Sequence, residues 1–434
     1  MIEKNQFYSA SVADFGCDGE GIVKLDGYTV FVPGALKGED IELKIVKVLK
    51  THGYGKLMKV NRPSPFRREP QCPYFRRCGG CQMLHIDLSE QLRLKQAHVE
   101  SCFRKYAGIS VKVNPVVGMD DPYHYRNKAQ YPIEGTQAGF YAPRSHDLIP
   151  IDRCLMQQPQ DEAIIQAVLS YLKQTGASIR NLFIRHGDNC SMVVLVSKHR
   201  NLPQQELLVQ KIRFASSQVT SIIHNYNPKD TNVILGQENT TLFGCDTITG
   251  RIDSLTFEIS PHSFFQVNPL QTEVLYRIAK NAAGLTGTET ILDLYCGIGT
   301  IGLFFADSVK RVIGVESVPQ AVEDATKNAK RNQIKNAEFY CGLAEEILPQ
   351  LIQKGISPDL VILDPPRKGC DPKLISSLMD LNPPKILYIS CNPATLARDV
   401  AALCSSYCPR AITPVDMFPH TKHVETVCLL SKLH

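Results

Sequence analysis

No stretch of this chain is apolar for anything near the roughly 18 residues that a membrane helix requires. Val193-Val194-Leu195-Val196 and Val361-Ile362-Leu363 are typical maxima. The first residues, Met1-Ile2-Glu3-Lys4-Asn5-Gln6, carry no apolar core after their charges, so no signal peptide is expected and the chain reads as cytoplasmic. Glycine and proline, 28 and 27 in 434 residues, follow no fixed period, which excludes collagen-like and low-complexity architectures. Apolar residues are not scarce: 43% of the chain is hydrophobic and 21% charged, too apolar for a largely disordered protein. At about 150 residues per domain, this length suggests about three domains.

The net charge of +5 is unevenly spread. Residues 41–70 hold Lys44, Lys47, Lys50, Lys56, Lys59, Arg62, Arg67 and Arg68 against only Glu42 and Glu69. Such focusing suits a polyanionic partner, because each cation near a phosphate releases counterions. It would also suit a solvated strand face.

Residues 1–62 read as short strands broken by glycines, with period-two alternation in Ile41-Glu42-Leu43-Lys44-Ile45-Val46-Lys47-Val48. A small closed β-barrel is expected, since closure removes exposed edges. Asn61-Arg62-Pro63-Ser64-Pro65 reads as a linker, and residues 87–107 as a helix. Residues 63–261 mix strands and helices in a central α/β domain. From 262 to 434 strands and helices alternate, which argues for a doubly wound, Rossmann-like α/β domain with ligands at the carboxyl ends of its strands.

Fifteen cysteines with no export signal make a disulfide framework unlikely. Three stand within ten residues, Cys72, Cys78 and Cys81, and Gly79-Gly80 lets their loop curl toward one point. Cys154 could be a fourth ligand. Four thiolates suit zinc or an iron–sulfur cluster. The wide first spacing and remote fourth cysteine favour a [4Fe-4S] cluster. The spacing expected of a radical enzyme is absent.

Asp293-Leu294-Tyr295-Cys296-Gly297-Ile298-Gly299-Thr300 closes the first strand of the last domain and opens a helix. The full three-glycine dinucleotide fingerprint is absent. Glu316 ends the next strand, where an acid commonly takes ribose hydroxyls. Ribose without a pyrophosphate cradle points to S-adenosyl-L-methionine. Asp364 ends a further strand and is held there by Pro365-Pro366. Arg367 follows, where amino-group methylases often carry a stacking aromatic, so an exocyclic nitrogen is a poor acceptor.

Cys391, in Ser390-Cys391-Asn392-Pro393, falls at a strand end beside a helix N-terminus, whose dipole favours a thiolate. A nucleophilic thiol is what methylation of a weakly nucleophilic ring carbon requires. Addition at C6 of uracil activates C5, and a base then removes the C5 proton. Glu425 is the leading candidate for that base, with His420 and His423 as rivals.

Together these residues resemble the RNA 5-methyluridine methyltransferase family, most closely its 23S rRNA branch, over nearly the whole chain. Gly19-Glu20-Gly21 and Phe31-Val32-Pro33-Gly34 are similar to a TRAM barrel, an OB-like RNA-binding module. The resemblance implies that Cys72, Cys78, Cys81 and Cys154 hold the [4Fe-4S] cluster. It implies that Gln266, within Phe264-Phe265-Gln266-Val267-Asn268, contacts S-adenosyl-L-methionine together with Tyr295, Glu316 and Asp364. It makes Cys391 the nucleophile and Glu425 the proton acceptor. It has residues near 88–122 pack on the last domain, and it offers Phe264 as a base-stacking residue, although a core role is the simpler expectation. The implied partner is unassembled or partly assembled 23S rRNA, with no DNA and no membrane, bound by a monomer. A transfer-RNA enzyme of the same chemistry and a non-catalytic RNA-binding protein are the alternatives. The bacterial transfer-RNA enzyme generally lacks both barrel and cluster.

Overall fold

The computed structural model describes residues 2–16 and 18–433. Strands β1 (Phe7–Phe15), β2 (Glu20–Leu25), β3 (Tyr28–Pro33), β4 (Asp40–Val48) and β5 (His52–Arg62) close a barrel in the order β1-β2-β3-β5-β4. Alternation sets its interior: Ile41, Leu43 and Ile45 of β4 are fully buried with Val12, Val23, Val30 and Val32. The basic run divides in two. Lys47, Lys50, Lys56 and Lys59 stand exposed. Arg67 instead forks onto buried Glu39 at 2.6 and 2.7 Å and onto the Gly34 carbonyl at 2.7 Å, pinning the linker to the barrel.

A cysteine-bearing loop leads to α1 (Leu88–Cys102), capped by Asp87, whose carboxylate accepts from the Ser89 N–H at 3.0 Å. The helix runs on into one wide π-helical turn, Phe103–Ala107, and stops at Gly108, whose φ of +67° is easy only for glycine.

The middle of the chain forms β6 (Lys128–Glu134), β7 (Gln137–Tyr141), β8 (Leu148–Pro150), α2 (Asp161–Thr175), β9 (Asn181–His186), β10 (Ser191–Ser197), α3 (Gln205–Ala215), β11 (Val219–Tyr226) and β12 (Glu238–Gly244). Its sheet is ordered β12-β11-β10-β9-β6-β7-β8, with α2 and α3 packed on one face. A hairpin, β13 (Ile248–Ile252) and β14 (Leu255–Ile259), packs with the other face and with the last unit.

That last unit contains α4 (Pro269–Ala283), β15 (Thr290–Leu294), α5 (Thr300–Phe305), β16 (Arg311–Glu316), α6 (Pro319–Arg331), β17 (Ala337–Cys341), α7 (Ala344–Gln353), β18 (Leu360–Leu363), α8 (Pro372–Leu381), β19 (Lys385–Ser390), α9 (Pro393–Leu403), β20 (Tyr407–Val415) and β21 (Glu425–Lys432). Three of its helices open on an Asx-Pro pair: Asn268, Asp371 and Asn392 each accept a backbone N–H, and the following proline sits where no N–H is needed. The sheet order is β17-β16-β15-β18-β19-β21-β20, parallel up to β19, with β21 and β20 antiparallel. Leu360–Leu363 is apolar throughout because both faces are covered. Ile291, Leu360 and Ile362 join the core with α4 and α5, while Leu292, Val361 and Leu363 join the other with α8 and α9.

Residues 88–117 belong to this second core. Val99, Phe103 and Val113 pack with Val400 and Leu403, and Asn114 and Val117 donate backbone hydrogen bonds to Ile412 and Pro414 at 2.9 and 3.0 Å. Lys95 reaches Asp416 at 2.6 Å, both side chains almost wholly out of water. No helix among the described residues is long and apolar enough to cross a membrane.

Removing one member of that buried pair strands the other, and Asp416 Oδ2 already lacks a partner. Lys95→Ala should therefore cost about 3–5 kcal/mol, read as a lowered urea midpoint, whereas Lys56→Ala on the barrel surface should leave it within about 0.5 kcal/mol.

Candidate active site

Three strand ends meet in the last sheet. β21 pairs antiparallel with β19, Ser390 opposite Thr426, so Glu425 begins β21 where Cys391 follows β19. β18 lies on the other side of β19, Leu363 opposite Tyr388, which brings Asp364 to the same edge. Cys391 opens onto a cleft of about 350 Å³ that is also lined by Arg367, His423, Lys422 and residues of α1.

The electrostatics follow from crowding acids in a recess. Burial, with the Asp364 charge beside it, raises the Glu425 carboxyl to about 8, and Arg367 pulls it back. Burial raises Asp364 to about 7. Cys391 is pushed up to about 11 by burial, then by Glu425 and Asp364, against the pull of Arg367. The thiolate expected from the helix N-terminus is thus not the resting state: the carboxylates and desolvation outweigh the dipole.

The loop that carries Arg367 is clamped to α9. Asn392 Nδ2 and Thr395 Oγ1 donate to the Arg367 carbonyl at 3.1 and 3.3 Å, and Arg398 donates to the Lys368 carbonyl at 2.9 Å. Asp399, buried, accepts from the Cys370 N–H at 2.8 Å and from Tyr388 at 2.7 Å. The guanidinium beside the thiol was missed as a site residue by sequence reasoning. The Asp364-Pro365-Pro366-Arg367 run was its only signal.

Of the residues expected to touch the cofactor, Tyr295, Glu316 and Asp364 lie at neighbouring strand ends of this sheet. Tyr295 has φ +70°, a strained conformation for an aromatic residue, and Gly297 and Gly299 follow at +55° and +84°. This turn folds onto Glu316, whose carboxylate accepts from the Gly297 N–H at 3.1 Å and the Val318 N–H at 2.9 Å. Behind it Asp293, fully buried, accepts from the Gly302 N–H at 2.9 Å, keeps Oδ1 without a partner and is raised to about 8 by burial and by Asp364 and Glu316. Gln266 is buried, its carbonyl accepting from Asn127 Nδ2 at 3.0 Å. Phe265 packs in the core, whereas Phe264 is 70% exposed, so the simpler expectation of a core Phe264 is corrected.

The two histidines separate. His420 stacks on Tyr123 at 5.0 Å, with its N–H donating to Gln91 Oε1 at 3.0 Å, and does not line the cleft. His423 does line it, and burial and Arg367 hold it down at about 4.

Cys72, Cys78, Cys81 and Cys154 line a different cavity, of about 170 Å³, with Phe75, Tyr125 and Met156. Its loop is tied on both sides: Gly79 N–H donates to the Tyr141 carbonyl at 3.0 Å, and Met83 N–H to the His420 carbonyl at 2.9 Å. The described residues contain no group of three or more ligating side chains placed to hold a metal ion. A single zinc, with Zn–S about 2.3 Å, would need sulfurs within about 4 Å of one another. The thiols stand around a space rather than a point.

A parallel sheet of this order, with a glycine turn after its first strand and an acid after the next, is that of the S-adenosyl-L-methionine-dependent methyltransferases. A family model described as tRNA (Uracil-5-)-methyltransferase matches residues 87–433, and the chain belongs to that family of RNA uracil-5 methyltransferases. It is 45% identical over 448 residues to an uncharacterized RNA methyltransferase of Staphylococcus aureus, covering 99% of both chains. A Bacillus cereus uncharacterized RNA methyltransferase is 42% identical over 450 residues, covering 100% of this chain and 98% of that one. The crystal structure of Pyrococcus abyssi tRNA (uracil-54, C5)-methyltransferase with S-adenosyl-L-homocysteine superposes with a TM-score of 0.79 at 28% identity, over 97% of this chain and 99% of that one.

A cationic cofactor favours the ionised forms of Asp364 and Glu425. These must first lose protons held up to about 7 and about 8. Affinity for S-adenosyl-L-methionine should therefore rise with pH between about 6 and about 8 and level off above, measured by calorimetry. Asp364→Asn should flatten that rise.

Proposed function

We propose that this protein transfers a methyl group from S-adenosyl-L-methionine to C5 of a uridine in 23S rRNA, with Cys391 as nucleophile and Glu425 as base. What carries the reading is the gathering of Cys391, Glu425 and Asp364 at adjacent strand ends, with Arg367 and Cys391 lining one cleft. The cofactor, held by Gln266, Tyr295, Glu316 and Asp364, supplies an electrophilic methyl. The thiol proton leaves to solvent and Arg367 steadies the thiolate. Sγ bonds to C6, pushing electrons through C5=C6 toward O4, and C5 becomes nucleophilic. Once C5 carries the methyl, ionised Glu425 takes the C5 proton, the C5=C6 bond re-forms and the sulfur departs. Residues 1–62 serve as a TRAM-like RNA-binding module, 63–261 as a central domain and 262–434 as the catalytic one. The exposed lysines of β4 and β5 meet the phosphate backbone.

Transfer RNA is the second reading, and the Pyrococcus abyssi enzyme favours it. That protein matches 97% of this chain, which leaves too few residues unmatched to omit the barrel. A barrel ahead of the catalytic domain therefore does not by itself select ribosomal RNA.

We assign a [4Fe-4S] cluster to Cys72, Cys78, Cys81 and Cys154, because four thiols around one space fit a cluster better than a single ion. Bound there it would cross-link the cysteine loop to the central sheet. Protein prepared without oxygen should be brown, with about four irons per chain, and Cys81→Ser should bleach it; a colourless, iron-free wild type overturns the assignment.

With 5-fluorouridine in place of the target, the proton that Glu425 removes is absent and the enzyme should remain bonded to RNA on denaturing gels. Cys391→Ala should abolish the adduct and turnover while keeping cofactor binding. Glu425→Gln should accumulate adduct on ordinary RNA and slow its release at least about 100-fold. Deproteinised 23S rRNA and purified transfer RNA, run in parallel, separate the two readings by which one accepts methyl.

A further inference from the structure

Resting on that reading, we propose that Tyr106 and Lys105 form the RNA-gripping wall of the catalytic cleft. Tyr106 stacks on the nucleotide beside the extruded uridine, and Lys105 contacts its phosphate.

The wall is built for display. Cys391 lines a recess and is half-buried there, so a base reaches it out of its own stack. The recess is also lined by His98 of α1 and by Lys105 and Tyr106 of the turn that follows it. There the helix widens into a π-type turn, a departure that usually marks a functional position. Phe103 anchors the turn, fully buried against the catalytic core, and Gly108 ends it. The next aromatic ring after Phe103 stands in water: Tyr106 is 48% exposed, among the few such rings of the described residues. Lys105 holds its ammonium 5.1 Å from the Tyr106 ring. An exposed ring paired with a cation, lining the same recess as Cys391, is the arrangement by which single strands are bound: the π-face takes a base of any sequence and the charge takes its phosphate. Nothing in the packing of α1 calls for Tyr106, because Phe103 and Val99 already supply its apolar anchor.

The test measures steady-state methylation of the accepted RNA by the full chain, with Kd for S-adenosyl-L-methionine as the check on folding. Tyr106→Ala should raise KM for RNA about tenfold, with the loss falling on KM rather than kcat, and Tyr106→Phe should restore it. Lys105→Gln should lower the slope of log K against log salt by about one. Cofactor affinity should match wild type in all three. An active wild type whose KM is unmoved by Tyr106→Ala overturns the stacking alone, and an unchanged salt slope overturns the phosphate contact. A wild type that methylates no uridine in any RNA overturns the underlying reading and this inference with it.

Discussion

The site depends on one strand running against its neighbours. Five parallel strands bring their carboxyl ends to the reactive edge, where Glu316 ends β16 and Asp364 and Cys391 follow β18 and β19. Because β21 is antiparallel to β19, it delivers its beginning to that edge instead, and Glu425 arrives beside Cys391. Residues 34 positions apart in the chain become neighbours across one strand spacing.

The price of that convergence is crowded negative charge. Burial raises Asp293, Asp364 and Glu425, the Asp364 charge adds to the rise of the other two, and Arg367 pulls Glu425 back. Such an edge is poorly matched to itself and well matched to a cationic cofactor. Burial and the same carboxylates also raise the Cys391 thiol, against the pull of Arg367.

α1 links the parts. Its inner face completes the second core of the catalytic sheet through Val99 and Phe103, Lys95 fastens it to Asp416, and Gln91 holds the His420 backbone. The cysteine loop reaches the same segment through the His420 carbonyl. The cysteine loop, α1 and the segment that leads into β21 are therefore tied to one another through His420.

Much of this was legible in the chain. Alternation in residues 41–48 specified the barrel, and strand–helix alternation after 262 specified the doubly wound sheet, because periodicity reports which face is buried. The strand-end positions of Glu316, Asp364 and Cys391 followed from the same pattern. Arg367 and Asp293 were passed over because their roles come from what lies across the sheet. The acidity of Cys391 was misjudged because a dipole is local while desolvation and charge depend on neighbours brought from elsewhere. Phe264 and Phe265 could not be told apart, since adjacent residues differ only by the direction in which the backbone aims them. By itself, then, the sequence determined the element types and the cofactor class, both of which rest on short-range pattern. Tertiary structure alone decided which guanidinium and histidine line the thiol's cleft and which carboxylate begins the strand beside it, because strand direction and loop anchoring act between residues tens of positions apart and leave no local signature.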